Sequence, residues 1–442
     1  MTKKKAADEQ KTVEPLNGWL VFGLSVLTAI IYGYSNPKPQ SYYDYTFRVA
    51  ANMLNGHVAF NLAQPAWLNE FVPFEGYYYS VFPLGAVVSM IPFAALKLLG
   101  LVSDMPGALI AALLAGASCW FCLKIAGRYD IDNTKRILYS LAIPFGTFTW
   151  ANLTFDGAWQ LALGFAMLGE LGAIYFSVFD RRPLLAGIFF AMAFGNRTEC
   201  LLTAPMLLYF LNRPAETSST VEQRDTTIQS KRGKKGRVVE EDSTTPASGK
   251  AGLQLSWRST SLFCVVPFVL GVLTLVYNYV RFHSFTDFGY ARIPGVLDEP
   301  WYKDGIFSLN YIPRQAYEML LKSWDWKSTF PYFIPNGFSG SILLSSPSLF
   351  LILRVGAKDG ALKLAAWLSV AVLTFTLWMH GNSGGWQFAY RYAMVLLPWV
   401  FVLLLESAKQ HVSKLEWALF GFSFLVNAYA TWFFNWTEYV KP

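Results

Sequence analysis

The chain alternates long apolar stretches with shorter polar ones along almost its whole length. About 20 consecutive apolar residues cross a hydrocarbon layer of about 30 Å as a helix, so runs near this length predict spanning or membrane-associated helices. Twelve such runs cover residues 17–34, 81–99, 105–123, 137–153, 157–179, 183–194, 200–211, 259–280, 337–353, 361–379, 389–405 and 415–434. The pattern predicts an all-α polytopic membrane protein.

Basic residues between the runs predict the direction of each span, because Lys and Arg collect on the cytoplasmic side of a membrane. They cluster at residues 3–5, 124–136, 181–182, 231–237, 354–358 and 409–414. All six clusters lie on the cytoplasmic side only if run 81–99 does not cross the membrane. Its prolines, Pro83 and Pro92, favour an interfacial or re-entrant helix on the outer side.

This arrangement predicts about 11 spans in the cell membrane, with the N-terminus in the cytoplasm and the C-terminus outside. Runs 183–194 and 200–211 count as two spans joined by GNRTE on the outer face, and a single broken helix is the alternative.

The same pattern divides the chain into segments. The N-terminal tail covers 1–16, and the N-terminal transmembrane half covers 17–212, with a first external loop at 35–104 that carries juxtamembrane helices. The C-terminal half covers 258–442 and has an external loop at 281–340. Between the halves, residues 213–257 are polar and rich in Ser, Thr and Lys, which predicts a disordered cytoplasmic linker. Binding of anionic lipid headgroups is an alternative for its basic part.

Composition agrees with a membrane protein: 54% of the residues are hydrophobic, 17% aromatic and only 15% charged. The net charge of +7 is an orientation signal rather than a sign of nucleic-acid binding, because no basic patch carries base-stacking aromatics. The four cysteines, at 119, 122, 200 and 264, all fall in apolar runs and are expected to be small packed residues. Cys119 and Cys122 form a CxxC without a second pair or a nearby histidine.

The stretch SYYDYTFRVAANMLNGHV, residues 41–58, follows the first apolar run. Its apolar residues recur at helical spacing, which predicts an amphipathic helix over 44–55 that lies on the membrane and ends at Asn55-Gly56. Asp44 stands at the start of this helix and has two interpretations. It caps the helix and pairs with Arg48 at i+4, or it is a general base whose pKa is raised at the lipid–water boundary.

Three further carboxylates are candidates for chemistry or structure. Glu75 is followed by Tyr77, Tyr78 and Tyr79, which also suit an aromatic belt at headgroup depth. Asp156 sits where two runs meet and caps the next helix in the simpler interpretation. Glu170 lies in the middle of run 157–179, where we interpret it as a structural hydrogen-bonding residue.

An ordered series of motifs resembles a known family. The series is YYDYTFRVAANMLNGH, YYYSVFPLGAVVSMIPFAAL, AFGNRTECLLTAPMLL, YNYVRFHSFTDFGYARIPG, GIFSLNYIPRQAYEMLL, GFSGSILLSSPSLFLIL and GGWQFAYRYAMVLLP. It resembles bacterial integral-membrane glycosyltransferases of the GT-C fold, which include protein O-mannosyltransferases and lipid A aminoarabinose transferases. The resemblance implies sugar transfer from a polyprenyl-phosphate-linked donor to an acceptor on the outer face.

The resemblance also implies residue roles. The general base that members of this family carry in the first external loop corresponds to Asp44 in this sequence. Asp44 is flanked by tyrosines instead of a second acidic residue. A metal-independent reaction without cofactor is therefore expected, and the four histidines lack ligand spacing, although the family leaves a divalent cation open. Arginines would hold the lipid phosphate: Arg391, Arg197 and Arg48. Arg391 alternatively snorkels to the interface, and Arg197 alternatively forms an internal ion pair with Glu199.

The remaining candidates for substrate binding are Glu75, Tyr78, Asp156, Arg292, Arg314, Trp386 and Tyr390. The expected partners are the lipid bilayer, the sugar donor and an acceptor that is a protein, a lipid or a glycan, with no nucleic acid. Two other functions fit the sequence. A secondary transporter or lipid flippase would use Glu170 near the bilayer midplane, and a ligase or polymerase of lipid-linked oligosaccharides would share the same architecture.

Overall fold

The computed structural model describes residues 16–37, 43–214 and 255–439, and these residues are mostly helical. Five described helical segments are long and apolar enough to cross a membrane: Gly107–Ala126, Ala158–Phe179, Trp257–Phe282, Gly360–Met379 and Lys414–Trp436. Three shorter apolar helices are Gly18–Tyr34, Leu84–Leu98 and Pro183–Asn196. The structure is therefore that of a helical protein with membrane-spanning character.

The helices are numbered in chain order. Those of the N-terminal half are α1 Gly18–Tyr34, α2 Tyr45–Leu54, α3 Leu84–Leu98, α4 Gly107–Ala126, α5 Asn133–Phe145, α6 Thr149–Thr154, α7 Ala158–Ile174, α8 Pro183–Asn196 and α9 Ala204–Asn212. Those of the C-terminal half are α10 Trp257–Phe282, α11 Ile312–Leu320, α12 Ile342–Ser345, α13 Gly360–Met379, α14 Leu397–Glu406 and α15 Lys414–Trp436. Two antiparallel hairpins join β1 Phe71–Phe74 to β2 Tyr77–Ser80, and β3 Asp325–Trp326 to β4 Phe333–Ile334.

Several predicted runs are interrupted. Run 137–153 is divided between α5 and α6 at Gly146, two residues after Pro144. Run 337–353 contains only α12 and a 3₁₀ segment, Pro347–Leu353. Runs 183–194 and 200–211 form α8 and α9, with the 3₁₀ segment Thr198–Thr203 between them. A proline, which lacks one backbone donor, lies at each of the first two breaks: Pro144 near the end of α5 and Pro347 just after α12. These apolar runs are therefore not continuous helices.

Helix α2 confirms the helix predicted over 44–55. Its residues Phe47 and Ala50 are buried, and the chain leaves the helix at Asn55 and Gly56, whose φ is +83°. The buried face packs on α3. The predicted amphipathic pattern is therefore real, and α3 covers part of the apolar face.

Helix α3, which corresponds to run 81–99, begins and ends beside α2. The Phe82 ring just before it lies 5.3 Å from the ring of Tyr45, and Nζ of Lys97 near its end lies 5.9 Å from the ring of Phe47. The chain then reaches Gly107, which packs directly on Asp156 at the start of α7. Both ends of α3 thus contact α2, and whether this segment crosses the membrane stays a prediction.

Basic residues gather at one end of the helix bundle. Lys135, fully buried, lies 2.7 Å from Glu416, and Nζ of Lys358 donates to the carbonyl of Asp130 at 3.0 Å. Arg213 pairs with Asp359. Arg181 donates to the carbonyl of Arg213 at 2.7 Å, so that residues of the clusters 124–136, 181–182 and 354–358 meet.

The structure also describes the cysteines and Glu170. Cys119, Cys122 and Cys200 are buried and Cys264 is half-buried, and all four thiols are free. Glu170 accepts a hydrogen bond of 2.7 Å from the indole of Trp399, as expected for a structural residue. The predicted tail 1–16 and linker 213–257 fall almost entirely outside the described residues.

Candidate functional site

A cavity of about 890 Å³ lies where the ends of several helices meet. Its walls come from the start of α7, the chain just after α8, the end of α13, the loop before β1 and the loops 281–340 and 380–391. A volume of this size holds a ligand larger than a single sugar ring. Of the predicted site residues, Arg391, Arg197 and Trp386 line it.

Arg391 begins the 3₁₀ segment Arg391–Leu396 and is only 4% exposed. Its Nη1 donates to the carbonyls of Gly385 at 2.5 Å and Trp386 at 3.5 Å. Its Nε is buried without a partner, and among the described residues its Nη2 makes no hydrogen bond and no carboxylate pairs with it. Nη2 is therefore the guanidinium nitrogen that can donate to a ligand, whereas the unpaired Nε is itself buried, beside Gly384.

Glu70 faces Arg391 across the cavity and immediately precedes β1. The indole Nε1 of Trp159 donates to its Oε1 at 2.8 Å and its Oε2 at 2.9 Å, and the Arg391 guanidinium lies 5.7 Å from that indole ring. Burial raises the pKa of Glu70 to about 7, against the opposing effects of the Trp159 bond and the Arg391 charge. A carboxylate with such a pKa exchanges protons near neutral pH.

Arg197 is neutralised by a close neighbour. Its Nε and Nη2 lie 2.9 and 2.8 Å from Oε1 of Glu199, so the predicted internal ion pair is confirmed. The Arg197 guanidinium also lies 4.7 Å from the ring centre of Tyr392. Since Glu199 offsets this charge, Arg391 is the cavity arginine that has its charge available for a ligand.

The loop 380–391 is held in a strained shape by buried amides. Gln387 donates to the carbonyls of Phe338 and, at 2.8 Å, Ser383, while its Oε1 accepts from the Arg391 backbone at 3.0 Å. Trp386 has φ of +46°, which costs free energy for a residue with a side chain. The neighbouring helices compensate for this strain, because Gln160 of α7 donates to the Trp386 carbonyl at 3.0 Å.

His380 follows α13 and lines the cavity. Its Nδ1 lies 2.7 Å from the carbonyl oxygen of Asn382. Burial lowers the pKa of His380, so the imidazole is neutral at pH 7. The rings of Phe307, Tyr302 and Tyr392 surround it at 5.3, 5.9 and 6.0 Å.

Large apolar side chains form the mouth of the cavity. Leu201, Leu202 and Phe338 line it and are 53%, 41% and 69% exposed. Exposed apolar side chains of this size mark a surface that another apolar group can cover.

Asp44 does not line the cavity, although its neighbour Tyr43 does. The prediction of a side-chain cap was wrong: Asp44 occupies the N-cap position and its backbone carbonyl accepts from the Arg48 backbone at 2.9 Å, but its carboxylate makes no capping hydrogen bond to α2. The predicted pair with Arg48 is confirmed, because Nη2 lies 3.0 Å from Oδ2 and Nε 3.2 Å from Oδ1. Burial raises the pKa of Asp44, and the charge of Arg48 opposes this effect. Arg48 is thus engaged outside the cavity.

The other acidic and aromatic candidates also lie outside the lining. Glu75 and Gly76 form the tip of the β1–β2 turn with φ of +48° and +84°, and Glu75 lies 3.4 Å from His283. Tyr78 is in β2, where its backbone bridges to Phe60. Asp156 is buried, and neither of its carboxylate oxygens has a partner among the described residues, so the interpretation that it caps the next helix was wrong. Burial raises its pKa to about 7.

Three remaining candidates stabilise the loops around the cavity. Arg292 donates to Asp287 at 2.7 Å and covers the ring of Phe74. Arg314 donates to the carbonyl of Gly381, next to His380. The Tyr390 hydroxyl donates to Gln315 at 2.8 Å, deep in the core.

Glu70 is the main residue that the sequence prediction missed, together with Trp159 and His380. A usable signal was present for Glu70. The Glu75-Gly76 pair lies between the short apolar stretches FVPF and YYYS, which is a two-residue hairpin pattern. It would have placed Glu75 at the exposed tip and Glu70 at the base of the hairpin, beside the helices.

Within the described ranges, no group of three or more His, Cys, Asp and Glu side chains is arranged to hold a metal ion. Comparison with protein-family models, curated proteins and solved structures gives no match for this chain.

Proposed function

We propose that the protein is an integral-membrane glycosyltransferase that moves a sugar from a polyprenyl-phosphate-linked donor to an acceptor hydroxyl. The observation that carries the proposal is Arg391, a largely buried cation whose Nη2 makes no hydrogen bond and which forms no ion pair with a carboxylate among the described residues. Two carbonyls on Nη1 and the charge of Glu70 compensate the Arg391 charge in part, and an anionic ligand at Nη2 would complete this compensation. Phosphate is such an anion and accepts hydrogen bonds from guanidinium N–H groups.

The apolar mouth supports a lipid as the carrier of that phosphate. Leu201, Leu202 and Phe338 present exposed apolar surface beside the arginine. A prenyl chain would contact these side chains from the membrane while its phosphate reaches Arg391. A soluble sugar nucleotide would leave this apolar surface unused.

Glu70 is the general base in this proposal. An oxygen of the acceptor attacks the anomeric carbon, the bond from that carbon to the phosphate oxygen breaks, and Glu70 takes the hydroxyl proton. Polyprenyl phosphate leaves with its negative charge opposite Arg391, which stabilises the charge as it develops. The pKa of about 7 leaves a useful fraction of Glu70 deprotonated at neutral pH.

Asp44, the base that the family resemblance implies, remains a separate prediction. Its carboxylate is bound by Arg48, and only the adjacent Tyr43 lines the cavity. Substitution of Asp44 and Glu70 one at a time separates the two assignments.

The proposal includes a GT-C-like fold with about 11 spans, the N-terminus in the cytoplasm and the C-terminus outside. The gathering of Lys135, Arg213 and Lys358 at the end of the bundle opposite the cavity supports this orientation. Chemistry would then take place on the outer face.

The experiment is a donor-consumption assay. The full chain is purified in detergent and mixed with native membranes as the source of acceptor and with undecaprenyl phosphate carrying radiolabelled mannose, glucose, galactose or arabinose. We expect the wild type to release undecaprenyl phosphate from at least one donor, and Arg391→Gln to lose this activity. Absence of consumption with every donor, or full activity of Arg391→Gln, contradicts the proposal.

The alternatives draw less support. Glu170, the residue that a transporter would use, accepts from Trp399 and does not line the cavity. A ligase or polymerase of lipid-linked oligosaccharides would use the same cavity, and the length of the transferred glycan separates it from a single-sugar transferase.

A further inference from the structure

Tyr392 lies between the cationic part of the cavity and a neutral part. Its ring centre is 5.2 Å from the guanidinium carbon of Arg391 and 6.0 Å from the ring centre of His380. Arg391 and His380 thus both lie beside the Tyr392 ring, whose size is close to that of one pyranose. A sugar attached to a phosphate at Arg391 would extend along Tyr392 towards His380.

The hydrogen bonding of His380 fixes which of its nitrogens faces a ligand. A carbonyl oxygen only accepts, so Nδ1, which lies 2.7 Å from the Asn382 carbonyl, carries the hydrogen. In the neutral ring Nε2 then has a lone pair and no hydrogen. Nε2 has no partner among the described residues and is not a buried unsatisfied atom, so it is accessible within the cavity.

The charged groups that act on His380 are Arg197 and Glu199, which pair with each other, and the other groups in this part of the cavity suit hydroxyls. Tyr290 and Asn382 line the same part of the cavity, and the Tyr290 hydroxyl lies 2.7 Å from that of Tyr302. The Phe307 ring is 5.3 Å from the imidazole. Phenol, amide and imidazole groups together with aromatic faces bind the alternating hydroxyls and C–H faces of a neutral sugar.

We propose that His380, together with Tyr290 and Asn382, forms the subsite for the donor sugar, in which His380 Nε2 accepts a hydrogen bond from a ring hydroxyl. This inference rests on the proposed function and makes it more specific. The lipid phosphate binds at Arg391, the neutral hydroxylated sugar binds across Tyr392, and His380 selects the sugar.

The test compares binding of lipids with and without the sugar. The full chain in detergent is titrated with undecaprenyl phosphate and, separately, with undecaprenyl phosphate that carries mannose, glucose, galactose or arabinose. We expect the wild type to bind bare undecaprenyl phosphate and to bind one sugar-bearing lipid more tightly. The Kd for the bare lipid divided by the Kd for that sugar-bearing lipid is called the sugar increment.

Two His380 variants divide the roles of its nitrogens. The amide of His380→Asn keeps a donor near the Nδ1 position and removes the Nε2 acceptor, whereas His380→Gln places an amide oxygen near the Nε2 position. We expect His380→Asn to lower the sugar increment about three- to tenfold, the effect of one hydrogen bond, without changing the Kd for bare undecaprenyl phosphate. We expect His380→Gln to retain more of the increment.

Binding of bare undecaprenyl phosphate also shows whether a variant is folded, since an unfolded variant would bind neither lipid. A full sugar increment in His380→Asn, or equal binding of bare and sugar-bearing lipids by the wild type, overturns the sugar subsite while lipid-phosphate binding remains. Failure of the wild type to bind bare undecaprenyl phosphate overturns the proposed function itself. Arg391→Gln, expected to weaken binding of both kinds of lipid, is the matched control for the phosphate end.

Discussion

The indole Nε1 of Trp159 donates to both carboxylate oxygens of Glu70, at 2.8 and 2.9 Å. This contact joins the first turn of α7 to the segment that enters the β1–β2 hairpin, although 89 positions of sequence separate the two residues. It turns the carboxylate of Glu70 into the cavity and holds it near Arg391.

Glu70→Gln should abolish turnover while leaving the fold intact, because glutamine is nearly isosteric but does not accept a proton. We expect a loss of at least about 100-fold in kcat, the lower range for removal of a general base. The rate of release of undecaprenyl phosphate measures it, and an unchanged melting curve checks the fold. Normal turnover by this variant would remove Glu70 from the reaction.

The wild-type rate should rise with pH through about 7, because only the deprotonated form of Glu70 accepts the acceptor proton and burial raises its pKa to about 7. Below this value the rate should fall about tenfold for each pH unit. Initial rates at saturating donor over the range from about pH 5 to 9 give the profile. A rate independent of pH across this range would contradict the assignment.

Asp44→Asn tests the base that the family resemblance implies. Since the carboxylate of Asp44 is held by Arg48 outside the cavity lining, we expect this variant to lose less activity than Glu70→Gln. Parallel turnover assays of the two variants decide between the assignments. A complete loss in Asp44→Asn with normal turnover in Glu70→Gln would assign the base to Asp44 and show that its pair with Arg48 opens during catalysis.

Arg391→Lys should weaken binding of undecaprenyl phosphate although it keeps the positive charge. The shorter-reaching donors of lysine cannot both replace the Nη1 bonds to the Gly385 and Trp386 carbonyls and present a further donor at the Nη2 position, so the phosphate contact is weakened. We expect an increase in Kd of about tenfold, measured by titration in detergent. Arg292→Lys is the matched control, because Arg292 pairs with Asp287 and does not line the cavity. Equal effects of the two substitutions would argue against a phosphate site at Arg391.

Asp156→Asn should stabilise the protein at pH 8 and not at pH 4. Burial raises the pKa of Asp156 to about 7, above its ordinary value of 3.8, so the folded state binds more protons than the unfolded state between these values. The free energy of unfolding of the wild type is therefore highest below about pH 4. It falls progressively as the pH rises to about 7, at up to about 1.4 kcal/mol per pH unit.

The melting temperature of Asp156→Asn, followed against pH, tests this expectation. We expect a rise of about 2–5 °C over the wild type at pH 8 and no difference at pH 4. Asn tolerates the φ of +52° at this position, and the exposed Asp298→Asn is the matched control. An equal shift at both pH values would show that ionisation of Asp156 is not the cause.

Residues 62 and 355 should lie on opposite sides of the membrane. Leu62 is in the loop that leads to the cavity wall and Val355 adjoins the basic end of the bundle, with exposed fractions of 77% and 95%. In a cysteine-free background, we expect Leu62→Cys to react with a membrane-impermeant maleimide in intact cells and Val355→Cys to react only after lysis. Reaction of both in intact cells would contradict the predicted orientation.

Local patterns predicted local structure well. Helix α2, its end at Gly56, the Asp44–Arg48 pair and the Arg197–Glu199 pair all involve residues a few positions apart, for which sequence spacing fixes the distance. The interruptions in runs 137–153 and 337–353 were missed, because hydropathy reports the apolar surroundings of a segment and not the continuity of its backbone hydrogen bonds.

The candidate site was predicted only in part. Arg391, Arg197 and Trp386 were named from the sequence and line the cavity. Glu70 and His380 were not, since their neighbours Trp159 and Tyr290 come from distant segments.

The sequence by itself determined a helical, membrane-type chain, because apolar runs and their lengths reflect the solvent around each segment. It also determined the segments that carry the polar chemistry. Only the tertiary structure decided which of those groups share one cavity, and that Arg48 and Arg197 already have carboxylate partners while Arg391 has none among the described residues. The physical reason is that the charge available for a ligand depends on the partners of each group in space, and packing between distant helices selects those partners.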